Sequence, residues 1–261
     1  MIITAILVLG ILGFIFAGLL AMAADYFWVE EDPRLSTILA ILPGGNCGAC
    51  GEAGCHVFAE KLIKGEVPVS GCLAGGAAVA DKLAKVMGLE QAGDAHRNIA
   101  AVHCGAKENQ RKKKALYAGI KTCKAADLVD NAGMACGYGC MGYGDCVCVC
   151  PFDAIAMRDG LPVVDANKCT ACGKCVAACP RKIISLIPAD FKVIVACSSR
   201  DSGAVTRQNC PVGCIACKIC EKEVPTVFKV VDNLAVIDYN QKGIDCSSAI
   251  AKCPTKCIVK N

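Results

Sequence analysis

Apolar residues run without a single charged side chain through residues 1–24, with Ile2, Leu7, Ile11, Phe14, Phe16 and Leu20 spread along the stretch. A run of that length spans a bilayer as one helix. A secretory signal peptide is the rival reading, with Ala21-Met22-Ala23 as its cleavage site. The stretch lacks a basic n-region, however, and is longer than the usual apolar core of such a peptide. A retained transmembrane anchor over residues 1–28 is therefore expected, with Tyr26, Phe27 and Trp28 at the interface. Arg34 and later basic residues follow the run and none precedes it, which by the positive-inside rule places the soluble part in the cytoplasm. Beyond the anchor the apolar pattern breaks into short pieces. Residues 57–63 and 77–87 read as helices, and 161–165 and 234–238 as strands. Residues 101–135 read as a connecting segment. Its basic run, Arg111-Lys112-Lys113-Lys114, is expected on a solvated helix face, or alternatively as a docking patch for an acidic protein.

Cysteine spacing changes this picture most. Cys169-x2-Cys172-x2-Cys175-x3-Cys179-Pro180 has the spacing of bacterial two-cluster ferredoxins, and Cys140-x5-Cys146-x3-Cys150-Pro151 precedes it. In that arrangement three thiolates bind one iron–sulfur cube and the fourth, before proline, binds the other. Cluster one would then use Cys136, Cys140, Cys146 and Cys179, and cluster two Cys150, Cys169, Cys172 and Cys175. Cys136 enters as the nearest substitute because Tyr143 stands where the middle ligand belongs. Upstream, Cys47-x2-Cys50-x4-Cys55-x16-Cys72 supplies four soft ligands in a glycine-rich loop, where absent Cβ atoms let backbone amides approach cluster sulfurs.

An internal repeat organises the rest. Cys123, Cys136, Cys140, Cys146, Cys172 and Cys179 recur 74 residues later as Cys197, Cys210, Cys214, Cys220, Cys246 and Cys253, and Pro151 and Pro180 as Pro225 and Pro254. A duplicated ferredoxin-like unit explains this. In the second copy Val224, Gly243 and Ala249 replace Cys150, Cys169 and Cys175, all ligands of one cluster. The other set survives as Cys214, Cys217, Cys220 and Cys253, so the C-terminal copy is expected to carry one cube. Four 4Fe–4S clusters on sixteen cysteines leave Cys104, Cys123, Cys148, Cys197, Cys210, Cys246 and Cys257 unassigned, most simply as small buried apolar residues. Cys123 and Cys197 precede their motifs by the same interval, so packing alike or helping to bind metal is open to both.

Composition fits several small stapled modules better than one large core, since 261 residues hold 23 cysteines, 26 glycines and only 5% aromatics. The expected fold is α+β: the anchor (1–28), a small helical cluster domain (29–100), the connecting segment (101–135), and two ferredoxin-like βαβ-type modules (136–190 and 191–261). Disulfides and zinc are the competing uses of cysteine. Disulfides do not call for ferredoxin intervals, and zinc sites close with four ligands without a crossed one. A net charge of +4 is mild, and no nucleic-acid-reading motif is present. Gly137-Tyr138-Gly139-Cys140-Met141-Gly142 satisfies a dinucleotide fingerprint, but no strand enters it and no helix leaves it. No catalytic triad is visible, so a nicotinamide would belong to another subunit. His56, His96 and His103 read as ordinary residues.

Three stretches together resemble one family: the apolar N-terminus, the loop from Leu42-Pro43-Gly44-Gly45-Asn46-Cys47 to Cys50, and the run from Tyr138 to Cys146 with Cys150-Pro151-Phe152-Asp153-Ala154-Ile155. The chain is similar to B subunits of Rnf-type ion-translocating ferredoxin:NAD oxidoreductases, over nearly its whole length and most specifically in its first 188 residues. Its C-terminal extension resembles the longer anaerobe-type members. The resemblance implies a cytoplasm-facing subunit that takes electrons from reduced ferredoxin. It would relay them through 4Fe–4S clusters to membrane-embedded partners that move Na+ or H+, within a complex holding a flavin- and NADH-linked subunit. An anchored polyferredoxin serving another complex, such as a membrane hydrogenase, is the alternative, and a zinc-stapled module or cluster-assembly scaffold a third.

Overall fold

A computed structural model describes residues 2–26, 32–89, 97–241 and 243–260. Helix α1 (Ile2–Tyr26) carries the apolar run. Its stretch Ile6–Ala23 has a mean hydropathy of 2.7 and buries nothing against the rest of the chain. At 1.5 Å per residue its 25 residues reach about 37 Å, more than the roughly 30 Å of bilayer hydrocarbon. Phe27, Trp28 and His96 lie outside the described residues.

Three helices form a small domain after it. Pro33 opens α2 (Pro33–Ile41), and the Asp32 carboxylate accepts the Arg34 amide hydrogen at 2.8 Å, a cap that satisfies one orphan donor. Helices α3 (Cys55–Ile63) and α4 (Gly76–Met87) occupy the two stretches expected to be helical. Leu35, Ile38, Phe58, Leu62 and Leu83 interlock as their common core. This domain meets the next through Gly45, where an added Cβ would lie 3.1 Å from the Phe152 ring.

The rest comprises β1 (Asn98–Val102), α5 (Cys123–Asp127), α6 (Asp145–Cys148), β2 (Ile155–Arg158), β3 (Leu161–Val164), α7 (Lys174–Ala178), β4 (Ile184–Pro188), β5 (Val193–Val195), α8 (Gly203–Asn209), α9 (Ile219–Glu223), β6 (Phe228–Val231), β7 (Leu234–Ile237), α10 (Ser247–Lys252) and β8 (Ile258–Lys260). The strands pair as β1–β4, β2–β3, β5–β8 and β6–β7, every pair antiparallel. The βαβ expectation, which requires parallel strands, is therefore replaced by a pair of antiparallel ribbons in each module. Hairpins turn at Asp159-Gly160 and Asp232-Asn233, where φ is positive at both central residues (50°, 76° and 49°, 62°), the conformation that matches strand twist.

The pairings also bear on two expectations. Strand β1 runs through residue 100 and pairs with β4, which belongs to the stretch expected as the first module. The basic run is not a helix. Lys113 forms an antiparallel bridge with Met134, and the Arg111 guanidinium turns inward to the carbonyls of Ala106 and Gly160. Two cores result, one around Ile99, Ile155, Ile184 and Ile187 and one around Val227, Phe228, Ile237 and Ala249.

Candidate metal centres

Three loops, two with a cysteine triplet and one with Tyr143 in the middle place, share one backbone signature. Within Cys140–Cys146 the left-handed residues are Gly142 (φ 86°) and Gly144 (φ 81°); within Cys169–Cys175, Ala171 (56°) and Gly173 (75°); within Cys214–Cys220, Ala216 (55°) and Lys218 (61°). A left-handed alanine or lysine costs about 1 kcal/mol or more and persists only where the surroundings demand it. Alternating hands gather successive N–H groups on the concave side, an arrangement that favours anionic sulfur. Backbone amides of Gly142 and Ala216 point accordingly at the thiols of Cys140 and Cys214.

Two expected sets meet in single cavities. Cys150, Cys169, Cys172 and Cys175 line a space of about 310 Å³ together with Phe152 and Leu186. The Ala100 amide donates to Cys169 Sγ and the Ala154 amide to Cys150 Sγ, both at 3.4 Å. Cys214, Cys217, Cys220 and Cys253 line another of about 330 Å³. Cys257, which spacing did not single out, joins this wall, its sulfur 3.6 Å from Cys253 Sγ. Its thiol, buried and pushed up in pKa, shares its one proton with the sulfurs of Cys214 and Cys253. That hydrogen bond pulls Cys214 down to about 6 and Cys253 to about 5. At the positions that match Cys150 and Cys175, Val224 and Ala249 are 7% and 0% exposed within the apolar core, beside the retained Cys246 at 3%, while Gly243, the match of Cys169, is exposed.

The N-terminal set also converges. Burial raises the Cys72 pKa first, and the thiols of Cys55, Cys47 and Cys50 add to it. Asn46 Oδ1 accepts the Cys55 amide hydrogen at 2.8 Å and would sit 2.9 Å from a Cβ on Gly54, so the loop closes around missing side-chain atoms. On its far side this domain presents Cys72 to Cys169 across a shared cleft.

The remaining set is arranged differently from the spacing-based expectation. Burial pushes Cys146 up to about 12, and the thiols next to it are those of Cys140, Cys123 and Cys179, then Cys175 of the neighbouring set. Cys123 lies in this group, and its sulfur takes the backbone amides of Asp145, Tyr143 and Gly144. The Asp145 carboxylate holds this position, accepting the Cys123 amide at 2.9 Å and the Lys124 amide at 3.0 Å. Asp127, on the same short helix, pairs with the buried guanidinium of Arg181 at 2.5 Å, tying α5 to the segment that carries Cys179. Removing Asp127 leaves a buried charge alone, so Asp127→Ala is expected to cost about 3 kcal/mol in denaturant unfolding. Unchanged stability would contradict that tie.

Cys136 lines a different cavity with Cys104, Cys197 and Cys210. Cys148 is exposed. His56 contacts Glu60 at 3.4 Å on the surface. His103, whose pKa burial lowers, bonds Val195 O at 2.9 Å and Ser185 Oγ at 2.7 Å, a structural role. Every cysteine is a free thiol. Among the described residues no three His, Cys, Asp or Glu side chains are placed to share one metal ion. Soft ligands in quartets, spread around cavities and not drawn to a point, fit a multi-iron core better than zinc, which takes four sulfurs at about 2.3 Å.

Comparison with known proteins agrees with this chemistry. Family models match at residues 42–74 (putative Fe-S cluster), 162–185 (4Fe-4S binding domain) and 208–259 (4Fe-4S single cluster domain of Ferredoxin I). The chain is 43% identical over 253 residues to the B subunit of the Na(+)-translocating ferredoxin:NAD(+) oxidoreductase complex of Acetobacterium woodii, covering 96% of this chain and 75% of the relative. It is 41% identical over 262 residues to the proton-translocating counterpart of Clostridium ljungdahlii, covering 98% and 92%. To the B subunit of the ion-translocating oxidoreductase complex of Methanosarcina acetivorans it is 37% identical over 258 residues, covering 98% and 97%.

Proposed function

The chain belongs to the family of B subunits of ion-translocating ferredoxin:NAD(+) oxidoreductase complexes, and we propose from this that it is the complex's electron-transfer subunit, taking electrons from reduced ferredoxin and handing them to membrane partners. The observation that carries the reading is the set of separate thiol quartets, spaced along one molecule behind a helix apolar enough to cross a bilayer. Iron–sulfur cubes, when bound, take up and release single electrons at potentials set by charge, hydrogen bonds and exposure.

The chain's own residues account for the rest. Cys47, Cys50, Cys55 and Cys72 hold the first group. Cys150, Cys169, Cys172 and Cys175 hold the second, Cys123, Cys140, Cys146 and Cys179 the third, and Cys214, Cys217, Cys220 and Cys253 the fourth. Left-handed loop residues aim amides at these sulfurs, and Cys257 donates a further hydrogen bond to the fourth set. Buried neighbours such as Ala100, Ala154 and Ile155 keep water off the inner side of the second. Helix α1 anchors the assembly with its soluble part in the cytoplasm, where ferredoxin circulates. Nicotinamide chemistry belongs to a flavin- and NADH-linked partner protein.

The test is anaerobic purification in detergent followed by titration with reduced ferredoxin. A brown chain whose visible absorbance bleaches on adding that donor, and which co-purifies with integral membrane subunits and an NADH-linked flavoprotein, is expected. A colourless chain defeats the reading. One that reduces with dithionite but not with ferredoxin, and travels with a hydrogenase, assigns it to a different complex.

A further inference from the structure

Cys104, Cys136, Cys197 and Cys210 come from three separate stretches of sequence, yet their side chains line one cavity of about 490 Å³ between the two ferredoxin-like modules. We propose that these four cysteines form a further iron–sulfur site, which holds a fifth 4Fe–4S cube between the modules. The proposal rests on reading the chain as a cluster carrier and adds a site that none of the spacing motifs contains.

The wall is built as the other sites are. Cys136 and Cys210 are repeat equivalents, and so are Gly139 and Gly213 in the same lining. Cys136 receives the amides of Tyr138 and Gly139, and Cys210 those of Val212 and Gly213, so two like turns face each other with the same polarity. Gly213 permits the close approach, since a Cβ there would overlap Thr206 Cγ2, a residue of the same lining. Three hydrogen bonds staple the remaining pair into register. Gly105 donates to Ala196 O at 2.9 Å, Ser198 Oγ to His103 O at 2.9 Å, and His103 Nδ1 meets Val195 O at 2.9 Å. Arg111 and Lys112 lie in the lining, opposite in sign to the charge that four thiolates bring.

Comparing the two copies explains why Cys197 is free to serve here. In the first copy Tyr143 displaces the middle ligand, and Cys123 sits against the loop in its stead. In the second copy Cys217 is present at that position, so Cys197, the equivalent of Cys123, is not needed by its own loop.

The position is intermediate between two expected centres. Cys140, a ligand of the third set, donates its amide to Cys104 Sγ at 3.4 Å, while the Cys214 amide of the fourth set donates to Cys197. On binding, each thiol gives up one proton to solvent as iron takes its place. A cube held by these four cysteines would supply one-electron transfer between the groups on either side, with no bond made or broken.

Iron, zinc and acid-labile sulfide on the full-length chain, isolated in detergent without oxygen, provide the test. Five cubes correspond to about twenty irons. Cys197→Ala and Cys210→Ala are each expected to lose about four of them while the paramagnetic signals of the other centres persist. Cys148→Ala, at an exposed position, is expected to lose none. About sixteen irons in the unaltered chain with no loss in either variant overturns the proposal, as does one zinc removed by the same substitutions. Should a variant lose all its iron through misfolding, native mass spectrometry of the unaltered chain decides, by four cubes or five. A chain with four cubes that ferredoxin still reduces defeats this site alone, whereas a chain with none defeats the function itself.

Discussion

Cys123→Ala is expected to strip about four irons from the chain, and adding Tyr143→Cys to the same protein is expected to restore them. The first module contains three of the four thiols that a ferredoxin cube requires, with Tyr143 in the middle ligand's place. Cys123 reaches the vacant corner from outside the loop, positioned by the Asp145 carboxylate and by the Asp127–Arg181 pair. A cysteine returned to position 143 lies inside the loop conformation shared by all three loops and supplies the missing ligand locally. Cys136→Ala is also expected to remove iron, but from the cavity between the modules. Magnetic coupling between reduced centres separates the two cases. Cys146 borders Cys175 of the second set, so only the Cys123 variant loses the interaction between those neighbouring centres. If Cys123→Ala retains full iron while Cys136→Ala loses that coupling, the ligand belongs to Cys136.

In the C-terminal module the contrast is between two cysteines of one repeat. Cys253→Ala is expected to remove about four irons and Cys246→Ala none. Cys253 lines the fourth cavity with Cys214, Cys217 and Cys220. Cys246 is 3% exposed in apolar packing, next to the Val224 and Ala249 that took over from ligands, and its thiol donates to Ile244 O at 3.7 Å. Its replacement trades sulfur for a small void, at a cost of about 1 kcal/mol in stability and nothing in iron. Equal iron loss from both variants contradicts a single-cluster module.

In the second copy Val224, Gly243 and Ala249 stand where the first has Cys150, Cys169 and Cys175. Removing three ligands of one site would leave a cavity, and cavities cost about 24 cal/mol per Å³. Val224 and Ala249 close it instead. Both lie in ordinary core with Phe228 and Val227, while the ribbons β5–β8 and β6–β7 repeat the antiparallel pairing of the first copy.

Sequence alone determined what depends on neighbours along the chain. An apolar run long enough for a bilayer, the helices α3 and α4, the hairpin strands β3 and β7, and the triplets that wrap a loop around one centre are local, because three-residue spacing acts within a single turn of backbone. That Cys150 shares a cavity with Cys169, Cys172 and Cys175 was legible too, through the proline that follows it. Tertiary structure alone decided what rests on distant pairing. Cys123 sits more than a dozen residues before its loop and is placed by a carboxylate. Cys104 and Cys197 meet because β1 ends beside the end of β5, and Cys136 and Cys210 because two copies of one turn face each other. Hydrogen bonds between strands carry no trace in spacing. The antiparallel ribbons, the strand that runs through residue 100 and the inward turn of Arg111 were hidden for the same reason: a contact closed across the fold depends on both partners, and neither partner's local sequence records the other.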